Sequence, residues 1–147
     1  MKNMVINNFK SEPYTFLSNM YPCVVEYNKN KYRSVEHAFQ AAKSLDTKEQ
    51  YLVWKTPSPY DAKKVGRKLT LRADWEDVKI SIMEDLIHQK FMNPDLRNKL
   101  LATGDAELVE GNNWNDYFWG KVNGKGLNWL GKILMKERDS IRNENSN

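Results

Sequence analysis

Three polar residues fall close together in the first third of the chain: Glu36, Gln40 and Lys43 stand at i, i+4 and i+7. On a helix turning about 100° per residue, Lys43 comes back to within about 20° of Glu36, with Gln40 between them. Their Cα atoms are then roughly 10 Å apart along the axis, a span that a sugar and its leaving group can bridge. An acid and an amine so placed suit the breaking of a bond between a ribose carbon and a base nitrogen. Positive charge grows on the ring as that bond lengthens, which calls for a nearby anion or nucleophile, and the departing nitrogen needs a proton. Glu36 can stabilise the cationic ring or activate water. Lys43, if partial burial lowers its pKa, can trap the opened ribose as a Schiff base. The ordinary alternative is a surface helix whose Glu and Lys only adjust solubility. The apolar Ala38, Phe39, Ala41 and Ala42 weigh against it.

Other residues can complete such a site. His37 points about 100° away from Glu36; it can orient the site from behind, or serve as a hydrogen-bonded structural histidine. His88 has no motif around it and is assigned no role. Trp75 and Trp119 can each stack on a base, with core packing at a helix start as the alternative for Trp75. Gly126 and Asn128, at the start of the last predicted helix, can offer amide hydrogen bonds to a phosphate or sugar. Lys63, Lys64, Arg67, Lys68 and Arg72 form a basic run without an acid among them. It is either a solvated face or a rim for a pyrophosphate or nucleic-acid backbone. Two His and one Cys offer no set with metal-ligand spacing, and Gly124 and Gly126 make a lone GxG without the third glycine of a dinucleotide fingerprint. Neither a metal nor a cofactor is expected.

The elements that must position these residues read as a mainly helical α+β domain. Cys23–Tyr27 pairs with Lys31–Arg33 across Asn28-Lys29-Asn30 as a small N-terminal hairpin. Ser34 caps a helix from about Val35 to Ser44, with Glu36 in its first turn. Thr47 to Gln50 has capping-box spacing and opens a helix to about Trp54. Ser58-Pro59 starts another, closed by Gly66. Asp74 caps the longest, in which Val78, Ile80, Ile82, Met83, Leu86, Ile87 and Phe91 recur at helical spacing. Asn93-Pro94 opens a helix ending near Thr103-Gly104. A short strand is expected at Leu108 to Glu110, then a glycine- and aromatic-rich loop from Gly111 to Gly126, and a last helix from about Leu127 to Ile141. Residues 142–147 read as a frayed tail.

The 147 residues suit one domain spanning 1–147, with 40% hydrophobic and 29% charged residues. The net charge of +4 suits an anionic small ligand and permits contact with a phosphate backbone. The single Cys23 allows no internal disulfide. No secretory leader is read in the first residues and no apolar stretch is long enough to span a bilayer, so the cytoplasm is the expected compartment.

Three segments, in order, resemble the NADAR (YbiA-like) family. The first is Phe16-Leu17-Ser18-Asn19-Met20-Tyr21-Pro22 followed by Tyr32-Arg33-Ser34-Val35-Glu36-His37-Ala38-Phe39-Gln40-Ala41-Ala42-Lys43. The second is Arg72-Ala73-Asp74-Trp75 with Met83 and Lys90-Phe91. The third runs from Leu100-Leu101-Ala102-Thr103-Gly104 through Leu108-Val109-Glu110, Asp116, Trp119-Gly120 and Gly126-Leu127-Asn128 to Leu130-Gly131. Met20, where many members have an aromatic, and the aromatic loading of residues 112–118 are departures. The resemblance implies hydrolysis of N-glycosidic bonds, in phosphoribosylated intermediates of riboflavin synthesis or in ADP-ribose attached to guanine in nucleic acid; the basic run tilts the choice to the second. It implies catalytic roles for Glu36 and Lys43, with Asp116 as a second carboxylate holding ribose hydroxyls or water. Substrate contacts are expected from Asn19, Arg33, His37, Gln40, Arg72, Trp75, Glu110, Trp119, Gly126 and Asn128. The rival reading is a non-catalytic module that binds ADP-ribose or a related nucleotide.

Overall fold

In chain order the elements are β1 (Val5–Ile6), a 3-10 turn (Thr15–Leu17), β2 (Pro22–Tyr27), β3 (Asn30–Ser34), α1 (Val35–Ala41), α2 (Thr47–Trp54), α3 (Pro59–Gly66), α4 (Trp75–Lys90), α5 (Pro94–Ala102), β4 (Glu107–Leu108) and α6 (Trp129–Asn145). The computed structural model describes residues 4–145, which divide into two compact units: Asn19–Lys90, and the segments on either side of it. The mainly helical α+β class expected from the sequence is the one observed. Among the described residues, no helix is long and apolar enough to cross a membrane.

The central unit is built around α1. β2 and β3 pair antiparallel, with Glu26 opposite Lys31 and Val25 opposite Tyr32. The reversal uses only Asn28 and Lys29, both at positive φ (50° and 69°), the two-residue geometry whose twist matches the flanking strands. The Ser34 hydroxyl accepts from the His37 N–H, capping α1 as expected. All seven residues of α1 are buried, and α2, α3, α4 and both hairpin strands pack on it. A helix covered on every side must find partners for whatever polar groups it carries. α2 is capped by Asp46, which accepts from the Lys48 N–H, rather than by Thr47. Ser58 caps α3 through the Asp61 N–H, with Pro59 in its first turn. In α4 the fully buried stripe is Met83, Leu86, Ile87 and Lys90, at i, i+3, i+4 and i+7.

The start of α4 involves Asp74 and Trp75. Asp74 directly precedes α4 and its carbonyl accepts from Val78, but its carboxylate is held by Arg72, Nε to Oδ1 at 2.6 Å and Nη2 to Oδ2 at 3.0 Å. Trp75 is 7% exposed, and its ring lies 5.0 Å from that of Phe39. It is core at the helix start, with no open face on which a base can stack.

In the flanking unit, β1 pairs parallel with β4, Val5 opposite Glu107 and Ile6 opposite Leu108. The Val109 N–H continues the ladder to the Ile6 carbonyl. No expectation covered β1, because a two-residue strand shows no alternation to read. Asn93 caps α5 by accepting from the Asp95 and Leu96 N–H groups, and Gly104, at φ 61°, follows its C-cap. α6 continues to Asn145, so residues 142–145 are helical where a frayed tail was expected. Residues 146–147 lie outside the described residues.

Candidate functional site

The central unit gathers most of the polar residues named above. Glu36 is buried at the start of α1, its N–H donating to the Asn19 carbonyl at 3.0 Å. This gives Asn19 a backbone role at the foot of the acid, while its Nδ2 faces the Met83 sulfur at 3.7 Å. One turn along α1, Gln40 Nε2 donates to Glu36 Oε1 at 2.6 Å, the length of a charge-assisted bond. Lys43 lies beyond the last full turn: its N–H reaches only to the Gln40 carbonyl, at 3.2 Å, in a tightened 3-10 closure. The regular angle that places Lys43 over Glu36 therefore ends at Ala41. The Glu36 carboxylate still lies near enough to favour the charged form of Lys43.

Burial pushes the Lys43 ammonium below the ordinary lysine range; Glu36 opposes that shift, while Arg67 and Lys63 add to it. Lys63 on α3 and Arg67 at its C-cap, one turn apart, are thus the members of the basic run whose charges act on Lys43. That signal was available as i, i+4 spacing but was read only as a general run of charge. Arg72 anchors the same place from outside: its backbone N–H donates to the Lys43 carbonyl at 2.7 Å. Its guanidinium is spent on Asp74, with Nη1 on the Tyr27 hydroxyl at 3.2 Å. Arg72 is thereby a brace for the Lys43 backbone rather than a free substrate contact. Arg33 is exposed on β3 and makes one long 3.4 Å contact from Nη1 to the Thr56 carbonyl.

His37 makes its side-chain hydrogen bonds within the fold. It is 1% exposed, with Nδ1 2.7 Å from the Ser34 hydroxyl and Nε2 3.1 Å from the Thr56 carbonyl. A carbonyl only accepts, so Nε2 carries the proton and Nδ1 accepts from the serine. Desolvation lowers the His37 pKa below its usual value; the Thr56 carbonyl opposes this, Arg33 adds to the lowering, and Asp61 opposes it. A depressed pKa in the fold means that the unfolded chain binds the proton more readily. Stability is then complete above the ordinary histidine value of about 6.5 and declines as pH falls below it. We expect His37→Ala to destabilise the chain at pH 7 by about 1–3 kcal/mol through the orphaned partners. The variant is also expected to lose the acid-side decline of the wild type. Thermal unfolding between pH 7 and pH 5 checks both, and parallel curves for the two chains contradict this role.

In the flanking unit the remaining residues brace one another. Asp116 Oδ1 accepts from the backbone N–H groups of Phe118 at 3.2 Å and Trp119 at 2.9 Å. That is the turn-forming use of an aspartate, so this oxygen holds the loop where a ligand for ribose hydroxyls was expected. Asn128, 4% exposed, donates from Nδ2 to the Leu108 carbonyl and accepts at Oδ1 from the Glu110 N–H, both at 3.0 Å. Its amide fixes the Glu110 backbone instead of meeting a phosphate. Gly126 has φ 142°, and a Cβ there would run into the Gly120 carbonyl. Its role is conformational. Trp119 is half-buried with Phe118 edge-on at 4.8 Å.

The pairing of a buried acid with a depressed amine can be set beside known proteins. The model of the NADAR domain matches residues 7–142, which take in every candidate site residue named above. The chain belongs to the NADAR family. Among its relatives, an N-glycosidase of Nostoc punctiforme is 40% identical over 139 residues, 90% of this chain and 88% of that protein. The N-glycosidase YbiA of Escherichia coli is 36% identical over 146 residues, 96% of this chain and 91% of the relative. A riboflavin biosynthesis protein of Vibrio vulnificus is 36% identical over 135 residues, 89% of this chain but 36% of that longer protein. The NMR structure of Escherichia coli YbiA matches with a TM-score of 0.86 at 36% identity, covering 99% of this chain and 89% of the other. This NADAR chain is therefore an enzyme of the N-glycosidase class.

Proposed function

We propose that the chain hydrolyses a ribose C1–N bond of a phosphorylated N-glycoside, with Glu36 and Lys43 as the reacting side chains. The observation that supports this reading is a buried Glu36 carboxylate held by Gln40, on the helix whose end carries Lys43, an amine whose charged form burial disfavours. As the C1–N bond breaks, Glu36 stabilises the positive ring and the leaving nitrogen takes up a proton. The neutral Lys43 amine bonds to C1, the ring oxygen departs from C1, and a protonated imine forms. Water adds to that C=N bond, releasing the sugar aldehyde and restoring the amine. Lys63 and Arg67 supply positive charge for a phosphate on the sugar.

Two substrate types fit. A ribosylaminouracil phosphate is favoured by the relative named for riboflavin biosynthesis. ADP-ribose on guanine in nucleic acid is favoured by the exposed Lys64, Arg67 and Lys68, which offer positive charge to a phosphate backbone. Incubation with each, followed by chromatography for free base and free sugar, decides between them, and the faster reaction marks the substrate class. Binding of ADP-ribose in calorimetry with no release of base from either compound overturns the enzymatic reading in favour of a binding module.

A further inference from the structure

Glu36 accepts the Gln40 amide, and a carboxylate oxygen that accepts at 2.6 Å requires the NH2 end to face it. That contact fixes the orientation of the amide, because the carbonyl oxygen must then point the other way. There it meets α3 at Gly66. A Cβ built on Gly66 would overlap Gln40 Oε1 and approach its Cδ to 2.7 Å and its Cβ to 2.9 Å. Gln40 is 5% exposed, and its Oε1 has no hydrogen-bond partner among the described residues. Its surface on that side is the bare backbone of α3. The sequence places Gly66 at the close of this helix, and the helix does end there. It is the last residue of α3, with Arg67 following in right-handed helical geometry, and it is absent from the residues with positive φ. Glycine in a regular helical conformation is unfavourable relative to alanine, so its presence is explained by the space it leaves.

We propose that Gly66 is a positioning residue for glycoside cleavage: by carrying no Cβ it lets the Gln40 amide sit flat on α3 and present its NH2 group to Glu36. With Oε1 held, the Glu36 carboxylate is locked in one rotamer facing the sugar. The inference rests on the reading of Glu36 as the reacting carboxylate. Gly66 touches no reacting atom and acts through Gln40 alone.

The test is a double-mutant cycle in the full chain, with hydrolysis of ribosylaminouracil phosphate as the readout. Gly66→Ala is expected to lower kcat about ten- to a hundredfold with KM little changed, the scale of a misplaced reacting group. Gln40→Ala is expected to do the same. The double variant is expected to lose little beyond Gln40→Ala, because truncation removes the Oε1 and Cδ atoms that the new methyl group meets and leaves only the Cβ contact at 2.9 Å to relax. A merely structural role for Gly66 predicts a lower unfolding temperature with an unchanged kcat for the folded enzyme, and that outcome overturns the proposal, as do losses that multiply in the double variant. If Gly66→Ala does not fold, Gln40→Ala decides: wild-type kcat in that variant overturns the proposal. Glu36→Gln is assayed alongside. Full turnover in Glu36→Gln defeats the reading of Glu36 itself, whereas an inactive Glu36→Gln with a wild-type Gly66→Ala defeats only the positioning role. Side-chain amide NMR supplies a readout independent of turnover: Gly66→Ala is expected to shift the Gln40 NH2 resonances, and unmoved resonances overturn the inference.

Discussion

Glu36→Gln is expected to lower kcat for N-glycoside hydrolysis by about 10²–10⁴-fold while leaving the fold intact. The substitution keeps an oxygen where Oε1 stands, so the Gln40 amide retains an acceptor. The backbone bond from residue 36 to the Asn19 carbonyl does not depend on the side chain. What disappears is the negative charge. That charge is the group proposed to stabilise a cationic ribose. Steady-state turnover together with thermal unfolding checks the expectation. A variant that unfolds like the wild type and turns over at the wild-type rate removes Glu36 from the reaction.

Lys43→Arg is expected to be as inactive as Lys43→Ala, with losses of about 10³-fold or more. Arginine keeps the positive charge, but it remains protonated and cannot form an imine. The comparison separates a nucleophile from a mere cation: a largely active Lys43→Arg rules out the covalent route. Borohydride added during turnover is expected to leave one reduced sugar adduct on Lys43, read by mass spectrometry, and none on either variant. The pH profile has a definite sign. Only the neutral amine attacks, and burial lowers the Lys43 pKa from its usual 10.5, so the rate is expected to rise with pH and reach its plateau below that value. The same shift opposes folding. Because the fold disfavours the protonated amine, stability increases as pH rises through the depressed folded pKa toward the unfolded one. Lys43→Met is accordingly expected to unfold at a higher temperature than the wild type at neutral pH, an activity-for-stability exchange.

The corrections share a physical cause. Asp116, Asn128, His37 and Arg72 are polar residues in family-like motifs, and each was expected to face a ligand. In the structure each makes hydrogen bonds to the chain itself: Asp116 Oδ1 to two loop amides, Asn128 to Leu108 and Glu110, His37 to Ser34 and Thr56, and Arg72 to Asp74 and Tyr27. A motif records that a residue type is required, and the requirement of an aspartate in a tight turn reads the same in sequence as that of an aspartate on a sugar. Trp75 shows the same ambiguity for an aromatic ring, resolved here by Phe39.

Local chemistry was legible from the sequence wherever neighbours along the chain decide the outcome. Ser34, Ser58 and Asn93 cap their helices because a short oxygen-bearing side chain reaches an amide two or three residues ahead. Asn28-Lys29 turns the hairpin because two positive φ values match the strand twist, and Glu36 and Gln40 meet because one helical turn separates them. Tertiary structure alone decided the rest. Whether the acid of α1 faces water or is enclosed depends on α2, α3, α4 and the hairpin closing over it. Whether Lys43 is an ordinary surface amine depends on the burial around it and on Lys63 and Arg67 from α3. Desolvation and the field of residues distant in sequence determine those two states, and neither quantity is written in the spacing of a single helix.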